Sequence, residues 1–75
     1  MQNKPIPPNR ILSERIASRL TQAELGLLVG VTASTVCQHE THVRPVGRET
    51  LLAYAKVFKL ATHELFLDPS LFDLA

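Results

Sequence analysis

The chain has 75 residues, of which 45% are hydrophobic and 20% are charged, and its formal net charge is +1 with neutral histidines. This length suits one small domain and excludes a second. A single cysteine excludes an internal disulfide framework, no apolar run reaches the roughly 18 to 20 residues of a membrane span, and the first residues lack the apolar stretch of a signal peptide, so a cytoplasmic protein is predicted.

The chain begins with a proline-rich segment that leads into the first predicted helix. Because three of the first eight residues are proline, residues 1–8 are predicted to form an extended or disordered arm. The first helix is predicted over residues 9–19, with Asn9 as its N-cap. Three apolar residues at helical spacing are predicted to point into the core: Leu12, Ile16 and Leu20.

Residues 20–40 carry the most informative pattern, two short helices joined by a tight turn. Thr21 is followed three residues later by a glutamate, which is the capping-box arrangement at the start of a helix. Gly30 can adopt the left-handed conformation that ends this helix, and Thr32 can cap the next one. Gly26 is expected to let the second helix of the pair cross close to the first. The pattern predicts a helix-turn-helix with helices over residues 22–29 and 33–40.

The connection after this unit leads into a strongly amphipathic segment. Residues 41–47 are predicted to form a loop, in which Pro45 prevents a continuous helix. The fourth helix is predicted over residues 48–58. Its apolar stripe consists of Leu51, Leu52, Ala55 and Phe58.

The end of the chain is predicted to add one more short helix and a tail. Thr62 can cap a fifth helix that contains Leu65 and Phe66. No segment has the alternation of a strand. The sequence therefore predicts an all-α bundle of five short helices over residues 9–67, followed by an apolar tail over residues 68–75.

Basic residues are concentrated in the first two thirds of the chain. Residues 1–48 contain six Lys or Arg against three Glu, whereas the remaining residues contain two Lys against four acids. Positive charge therefore gathers around the predicted helix-turn-helix. Taken alone, this asymmetry is explained better by ordinary surface variation than by a nucleic-acid partner.

Several short motifs lie at characteristic spacings along residues 20–66. They are Leu20-Thr21-Gln22, Glu24-Leu25, Gly30-Val31-Thr32, Val36, Glu40, Pro45, Leu51-Leu52 and Glu64-Leu65-Phe66. Together they resemble the lambda-repressor-like, or Cro/XRE-type, helix-turn-helix family. The resemblance implies a transcriptional regulator without a cofactor, expected to act as a repressor, that binds double-stranded DNA as a homodimer and places its third helix in the major groove.

The resemblance also implies a set of DNA-contacting residues. The base-reading residues would be Ala33, Ser34, Cys37 and Gln38. The phosphate-contacting residues would be Gln22, Thr35, Thr41, Arg44 and Arg48. Helical geometry agrees, because positions 33, 34, 37, 38 and 41 share the face opposite Val36. The Gln38 amide is the best reader among them, since it can pair with N6 and N7 of adenine.

Other residues have structural roles in this interpretation. The resemblance implies an ion pair between Arg15 and Glu40, and His39 is expected to be a partly buried imidazole packed against the first and fourth helices. His42 stands where the turn needs a left-handed residue, which histidine tolerates better than most residues. The apolar surface assigned to a dimer contact consists of Leu65, Phe66, Leu71 and Phe72, with core packing as the alternative for the first two.

Two other functions are weighed against DNA binding. The run from Cys37 to His42 has the residue types of a zinc site, but its side chains diverge around a helix, and no catalytic set of residues appears, so neither a metal site nor an enzyme is predicted. A helical protein-interaction module, such as an antitoxin half or an adaptor, remains the rival. It is favoured by the absence of Lys and Arg from residues 32–41 and by the apolar Leu27, Leu28 and tail, and a protein partner would bind through Leu27 and Leu28.

Overall fold

A computed structural model describes residues 8–66, which form four α-helices and a terminal 3₁₀ helix. The elements are α1 (Ile11–Ala17), α2 (Gln22–Val29), α3 (Ala33–Glu40), α4 (Arg48–Phe58) and the 3₁₀ helix (Thr62–Leu65). The predicted all-α class is confirmed, although the fifth element is a single 3₁₀ turn. No helix among these residues is long and apolar enough to cross a membrane. The predicted arm, apart from residue 8, and the predicted tail lie outside the described residues.

The bounds of α2 and α3 follow from side-chain caps and a left-handed glycine, as predicted. The Glu24 backbone N–H donates to Thr21 Oγ1 at 3.0 Å, and the Thr21 N–H donates to Glu24 Oε1 at 2.8 Å, so the capping box is complete. Gly30 has φ 83° and ends α2, while Thr32 Oγ1 accepts the Thr35 N–H at 3.1 Å. Local sequence chemistry is therefore sufficient to define this pair of helices.

Gly26 allows the turn between these helices to return close to α2. A Cβ atom at this position would lie 2.5 Å from the Val31 carbonyl oxygen. The close approach is made by the backbone of Val31 and of Thr32, the N-cap of α3, so the missing side chain at Gly26 gives room to the turn and to the start of the next helix. Leu25 of α2 and Val36 of α3 are both fully buried in the core.

The start of α1 differs from the prediction because Asn9 bonds to the end of α3. Arg10, not Asn9, holds the N-cap position, and the Asn9 Oδ1 atom accepts the Ile11 N–H at 3.0 Å. Asn9 Nδ2 donates to the His39 carbonyl oxygen at 3.0 Å, and its backbone N–H donates to His42 Nε2 at 3.1 Å. These bonds make Asn9 the link between the first helix and the end of the third.

The buried face of α1 is rotated by one residue from the predicted one. Ile11 is fully buried, whereas Leu12 and Ile16 are 43% and 60% exposed, so their predicted inward positions were wrong. One residue corresponds to about 100° on a helix. Arg15, one turn after Ile11, lies on the inward face because it bonds to Glu40 on α3.

The core is completed by α4 and the 3₁₀ helix. Leu51 and Ala55 are buried as predicted. Leu52 is 54% exposed, so its predicted inward position was wrong, and Tyr54 is fully buried instead. The Thr62 side chain does not cap the last element; instead, the carboxylate of Glu64 accepts a hydrogen bond from the Ala61 backbone N–H. The buried hydrophobic core consists of Ile11, Leu25, Val36, Leu51, Tyr54, Ala55 and Leu65.

Candidate nucleic-acid interface

The face of α3 that looks away from the core carries small and polar side chains. Val36, His39 and Glu40 are buried on the opposite side of the helix. The outward residues comprise the exposed Ser34 and Thr41 and the partly buried Ala33, Cys37 and Gln38. The structure therefore gathers all four predicted base-reading residues on one accessible face, which has no lysine or arginine of its own.

A buried carboxylate holds together the three helices behind this face. The Arg15 guanidinium on α1 donates through Nε to Glu40 Oε2 and through Nη2 to Glu40 Oε1 at 3.4 Å. Arg15 Nη1 also donates to the Leu20 carbonyl oxygen at 2.8 Å, which fixes the loop that precedes α2. The ion-paired side chains are only 15% and 3% exposed. The structure thus brings together the two residues of the predicted structural pair.

The same carboxylate bonds to Gln22, the first residue of α2. Gln22 Nε2 donates to Glu40 Oε1 at 2.9 Å. This contact was not anticipated, because the sequence gives no signal for a bond between the start of one helix and the end of the next. Its consequence is that the side chain predicted to contact a phosphate is held in one orientation by Glu40.

The loop after α3 returns to the helix and brings Arg44 beside Gln38. His42 has φ 61°, as predicted, and this left-handed residue reverses the chain. The N–H groups of Val43 and Arg44 then donate to the Gln38 carbonyl oxygen at 3.0 and 3.3 Å. Arg44 Nη1 lies 3.5 Å from Gln38 Oε1. The left-handed residue after the helix is a sequence signal for this return, but no residue pattern indicates that the side chains of Arg44 and Gln38 meet.

The other residues predicted to contact phosphates are distributed around this face. Thr35 is partly buried, and its Oγ1 accepts a hydrogen bond from the Thr32 hydroxyl at 3.0 Å. The Thr41 hydroxyl donates to the Cys37 carbonyl oxygen at 2.9 Å, so a phosphate would have to compete for its proton. Arg48 is exposed at the first position of α4.

A buried histidine supports the inner side of α3. His39 is 3% exposed, and its Nδ1 lies 2.8 Å from the Tyr54 hydroxyl, with the two rings in an edge contact. Burial, and secondarily the positive charge of Arg44, lowers the pKa of His39 below the usual 6.5. Burial also raises the pKa of Tyr54, with a smaller contribution from Glu40. The pair is therefore neutral in the folded protein at neutral pH.

The lowered pKa of His39 predicts a loss of stability in mild acid. Below pH 6.5, His39 takes up a proton more readily in the unfolded chain than in the folded chain. The contribution of the neutral His39 to the free energy of unfolding is therefore fully present above pH 6.5 and is lost as the pH falls toward the pKa of the folded state. We expect the melting temperature to fall between pH 7.5 and about pH 5. His39→Gln should reduce this slope, whereas His63→Gln, which removes an exposed imidazole, should retain it. Equal slopes in both variants would contradict the assignment.

The residues assigned to a dimer contact and to a protein partner differ in how deeply they are buried. Leu65 is fully buried in the core, so the prediction that it contributes to a dimer surface was wrong, and its alternative of core packing holds. Phe66 is partly buried against the core. Leu27 and Leu28 are 85% and 58% exposed. Two further residues, Leu71 and Phe72, lie outside the described residues.

The cysteine and histidines around the end of α3 do not form a metal site. Cys37 is a partly buried free thiol. Within residues 8–66, no group of three or more His, Cys, Asp or Glu side chains is arranged to hold a metal ion. The side chains of this segment are instead used in the contacts of His39 with Tyr54 and of His42 with Asn9.

Comparison with solved structures identifies a similar protein. The crystal structure of the P22 c2 repressor protein in complex with synthetic operator 9T, in the presence of Tl⁺, superimposes on this chain with a TM-score of 0.74. The two sequences are 31% identical, and the match covers 77% of this chain and 88% of the repressor chain. No protein-family model and no curated protein sequence matches. Since the two structures match over most of both chains and share this level of sequence identity, this chain belongs to the lambda-repressor-like helix-turn-helix family.

Proposed function

We propose that this protein binds double-stranded DNA as a sequence-specific transcriptional regulator, acting as a repressor with α3 in the major groove. The observation that carries the proposal is the accessible face of α3, which is supported from behind by a buried core and by the Arg15–Glu40 pair. The similarity to the P22 c2 repressor, whose structure contains a synthetic operator, supports the same function.

The proposed DNA contacts divide into residues that read bases and residues that position the protein. Base edges would be contacted from the outward face of α3 by Ala33, Ser34, Cys37 and Gln38. Small side chains permit a close approach of the helix to the groove, and Gln38 supplies hydrogen-bonding atoms. Phosphates would be contacted from the periphery by Gln22, Thr35, Thr41 and Arg48, which fix orientation without reading sequence.

Gln22 has the geometry of a phosphate donor. Its amide nitrogen has two hydrogens, and only one is used in the bond to Glu40, so the second can donate to a phosphate oxygen. Among the described residues, the backbone N–H groups of Gln22 and Ala23 have no intramolecular acceptor. The first turn of α2 therefore offers several donors to an anion, and the helix dipole adds to the attraction.

We further propose that two copies act together on DNA. One reading helix covers only a few base pairs, and paired helix-turn-helix units recognise half-sites separated by about 34 to 36 Å. Leu65 is unavailable for the contact because it is buried. The remaining candidates are Phe66, which lies at the edge of the core, and the apolar residues Leu71 and Phe72.

The test is a titration of the full chain against duplexes selected from random-sequence DNA. We expect affinity to fall steeply with salt, by a slope of about 0.9 for each phosphate neutralised by a cation, and we expect two chains per selected duplex. Gln22→Ala should weaken binding to all sequences with little change in this slope, because its amide is neutral. Arg48→Ala should also weaken binding to all sequences, but it should reduce the salt slope by about 0.9, the contribution of one neutralised phosphate.

Protein binding is a second candidate function, favoured by the exposure of two adjacent leucines on α2. Leu27 is 85% exposed and Leu28 is 58% exposed, so two successive residues of α2 present apolar surface to solvent. A module that uses this surface would recognise an apolar partner. Failure to select any DNA sequence, together with binding of a protein partner that hardly responds to salt and is lost in Leu27→Glu, would favour this function over DNA binding.

A further inference from the structure

We propose that Arg44 and Gln38 act as one base-reading unit that selects guanine rather than adenine. This inference rests on the proposed DNA-binding function and names the base that the α3 face prefers. The sequence alone predicts the opposite, because an isolated glutamine pairs well with adenine through one donor and one acceptor.

The backbone of the loop after α3 brings the two residues together. The left-handed His42 turns the chain so that the Arg44 N–H reaches the Gln38 carbonyl oxygen at 3.3 Å, next to the Val43 N–H at 3.0 Å. Pro45 follows directly and limits the conformations of Arg44. Arg44 therefore lies beside Gln38 because of main-chain hydrogen bonds, independently of the contact between their side chains.

The side-chain contact determines which atoms of Gln38 remain for a base. The Arg44 guanidinium is 3.5 Å from Gln38 Oε1, so the amide oxygen faces the arginine. The opposite amide orientation would turn Nε2 toward the guanidinium, so that two hydrogen-bond donors would face each other. The oxygen is thus directed to Arg44, and the Nε2 donors of Gln38 are left for the groove.

The resulting unit presents donors side by side. Arg44 is exposed and, within residues 8–66, has no carboxylate partner, so its remaining N–H groups are available beside the Gln38 amide. In the major groove guanine offers two adjacent acceptors, N7 and O6, whereas adenine offers an acceptor next to the N6 amino donor. A guanidinium beside the N6 amino group of adenine would place two hydrogen-bond donors against each other. Guanine therefore matches the unit, and adenine does not.

The test compares full-length variants in the same selection from random-sequence DNA. For the wild type we expect guanine at one position of each half-site, and on fixed duplexes a preference for guanine over adenine of about fivefold to 150-fold at that position. Both Gln38→Ala and Arg44→Ala should bring this ratio close to one. The double variant should lose no more discrimination than either single variant, because the two side chains act as one unit.

Two matched variants separate base reading from simple charge. Arg44→Lys keeps the positive charge but not the planar set of donors, so it should retain affinity for random DNA and show a smaller preference for guanine than the wild type. Arg48→Ala removes an exposed arginine that does not contact Gln38, so it should weaken all sequences and keep the preference. Melting temperatures measured alongside should stay near that of the wild type, because both arginines are exposed.

Distinct outcomes overturn the inference and the proposed function. Selection of adenine at the position that Gln38→Ala relaxes would overturn the inference and leave DNA binding intact. Retention of the guanine preference in Arg44→Ala, with a uniform loss of affinity, would do the same and would make Arg44 a phosphate contact. The absence of any enriched sequence for the wild type would overturn the proposed function and this inference with it.

Discussion

Replacing Glu40 with alanine is expected to cost a large part of the stability of this fold. Glu40 is 3% exposed in its side chain and accepts hydrogen bonds from Arg15 on α1 and Gln22 on α2. The alanine variant leaves a mostly buried guanidinium without its counter-charge, a change that costs about 3 to 5 kcal/mol when burial is complete. A chain of this length has a total stability on the order of 4 to 11 kcal/mol, so the variant should be at the edge of unfolding.

The measurement is thermal and denaturant unfolding, with a second ion pair of the same chain as the control. Arg10, the N-cap of α1, and Glu14 form a partly exposed pair at 2.8 Å, with side chains 40% and 23% exposed. Glu14→Ala should cost only about 0 to 1 kcal/mol, because solvent screens the pair. Each kcal/mol corresponds to a shift of about 4 to 8 °C in the melting temperature of a domain this small. Equal melting temperatures for the two variants would contradict the structural role of Glu40.

A milder variant separates the two roles of this carboxylate. Glu40→Gln keeps the shape and one acceptor oxygen but removes the charge that pairs with Arg15. We expect this variant to fold with an intermediate stability. Because its amide can still accept from Gln22, binding to DNA should be retained at temperatures where the variant is folded.

The parts of the fold that depend on local chemistry could be predicted from the sequence. Thr21, Gly30 and Thr32 act on their own neighbours, through capping hydrogen bonds or a left-handed φ angle, and they define α2 and α3 with the predicted bounds. The apolar period likewise defines the bounds of α4. Each of these signals is complete within one or two helical turns.

The rotation of α1 could not be predicted because its cause lies on other elements. The apolar period favours Leu12 and Ile16 as inward residues. In the fold, Asn9 bonds to the end of α3, and Arg15 bonds to Glu40, and these contacts turn Ile11 inward. Polar contacts between distant elements thus outweigh the apolar pattern of a helix with only seven residues.

The candidate site shows the same division between local and distant causes. The outward face of α3 follows from helical geometry alone, so its residues could be assigned from the sequence. The contacts of Gln22 with Glu40 and of Arg44 with Gln38 depend on how the helices and the loop meet. Tyr54 was missed as the partner of His39, because a tyrosine hydroxyl in a helix gives no sequence signal for the side chain that it will meet.

Replacing Gly26 with alanine is expected to disrupt the turn between α2 and α3. The new Cβ would lie 2.5 Å from the Val31 carbonyl oxygen and 3.2 Å from the Thr32 carbonyl carbon, and both are backbone atoms. Backbone cannot move aside as a flexible side chain can, so the turn must shift. We expect a net loss of about 1 to 3 kcal/mol or more, even though alanine is intrinsically better than glycine in a helix by about 1 kcal/mol.

The other two glycines of the chain provide matched controls for this prediction. Gly47→Ala adds a methyl group at φ −65° with no atom within 4 Å, so its stability should change by less than about 1 kcal/mol, because the lower entropy of the unfolded chain offsets the poorer N-cap that alanine provides for α4. Gly30→Ala also meets no atom within 4 Å, but at φ 83° it should cost about 1 to 2 kcal/mol of backbone strain. Because only Gly26→Ala displaces the turn that sets α3 against α2, it should also weaken DNA binding at temperatures where the variant is folded. A Gly26→Ala variant that melts and binds like Gly47→Ala would show that the turn can yield to the methyl group without moving α3.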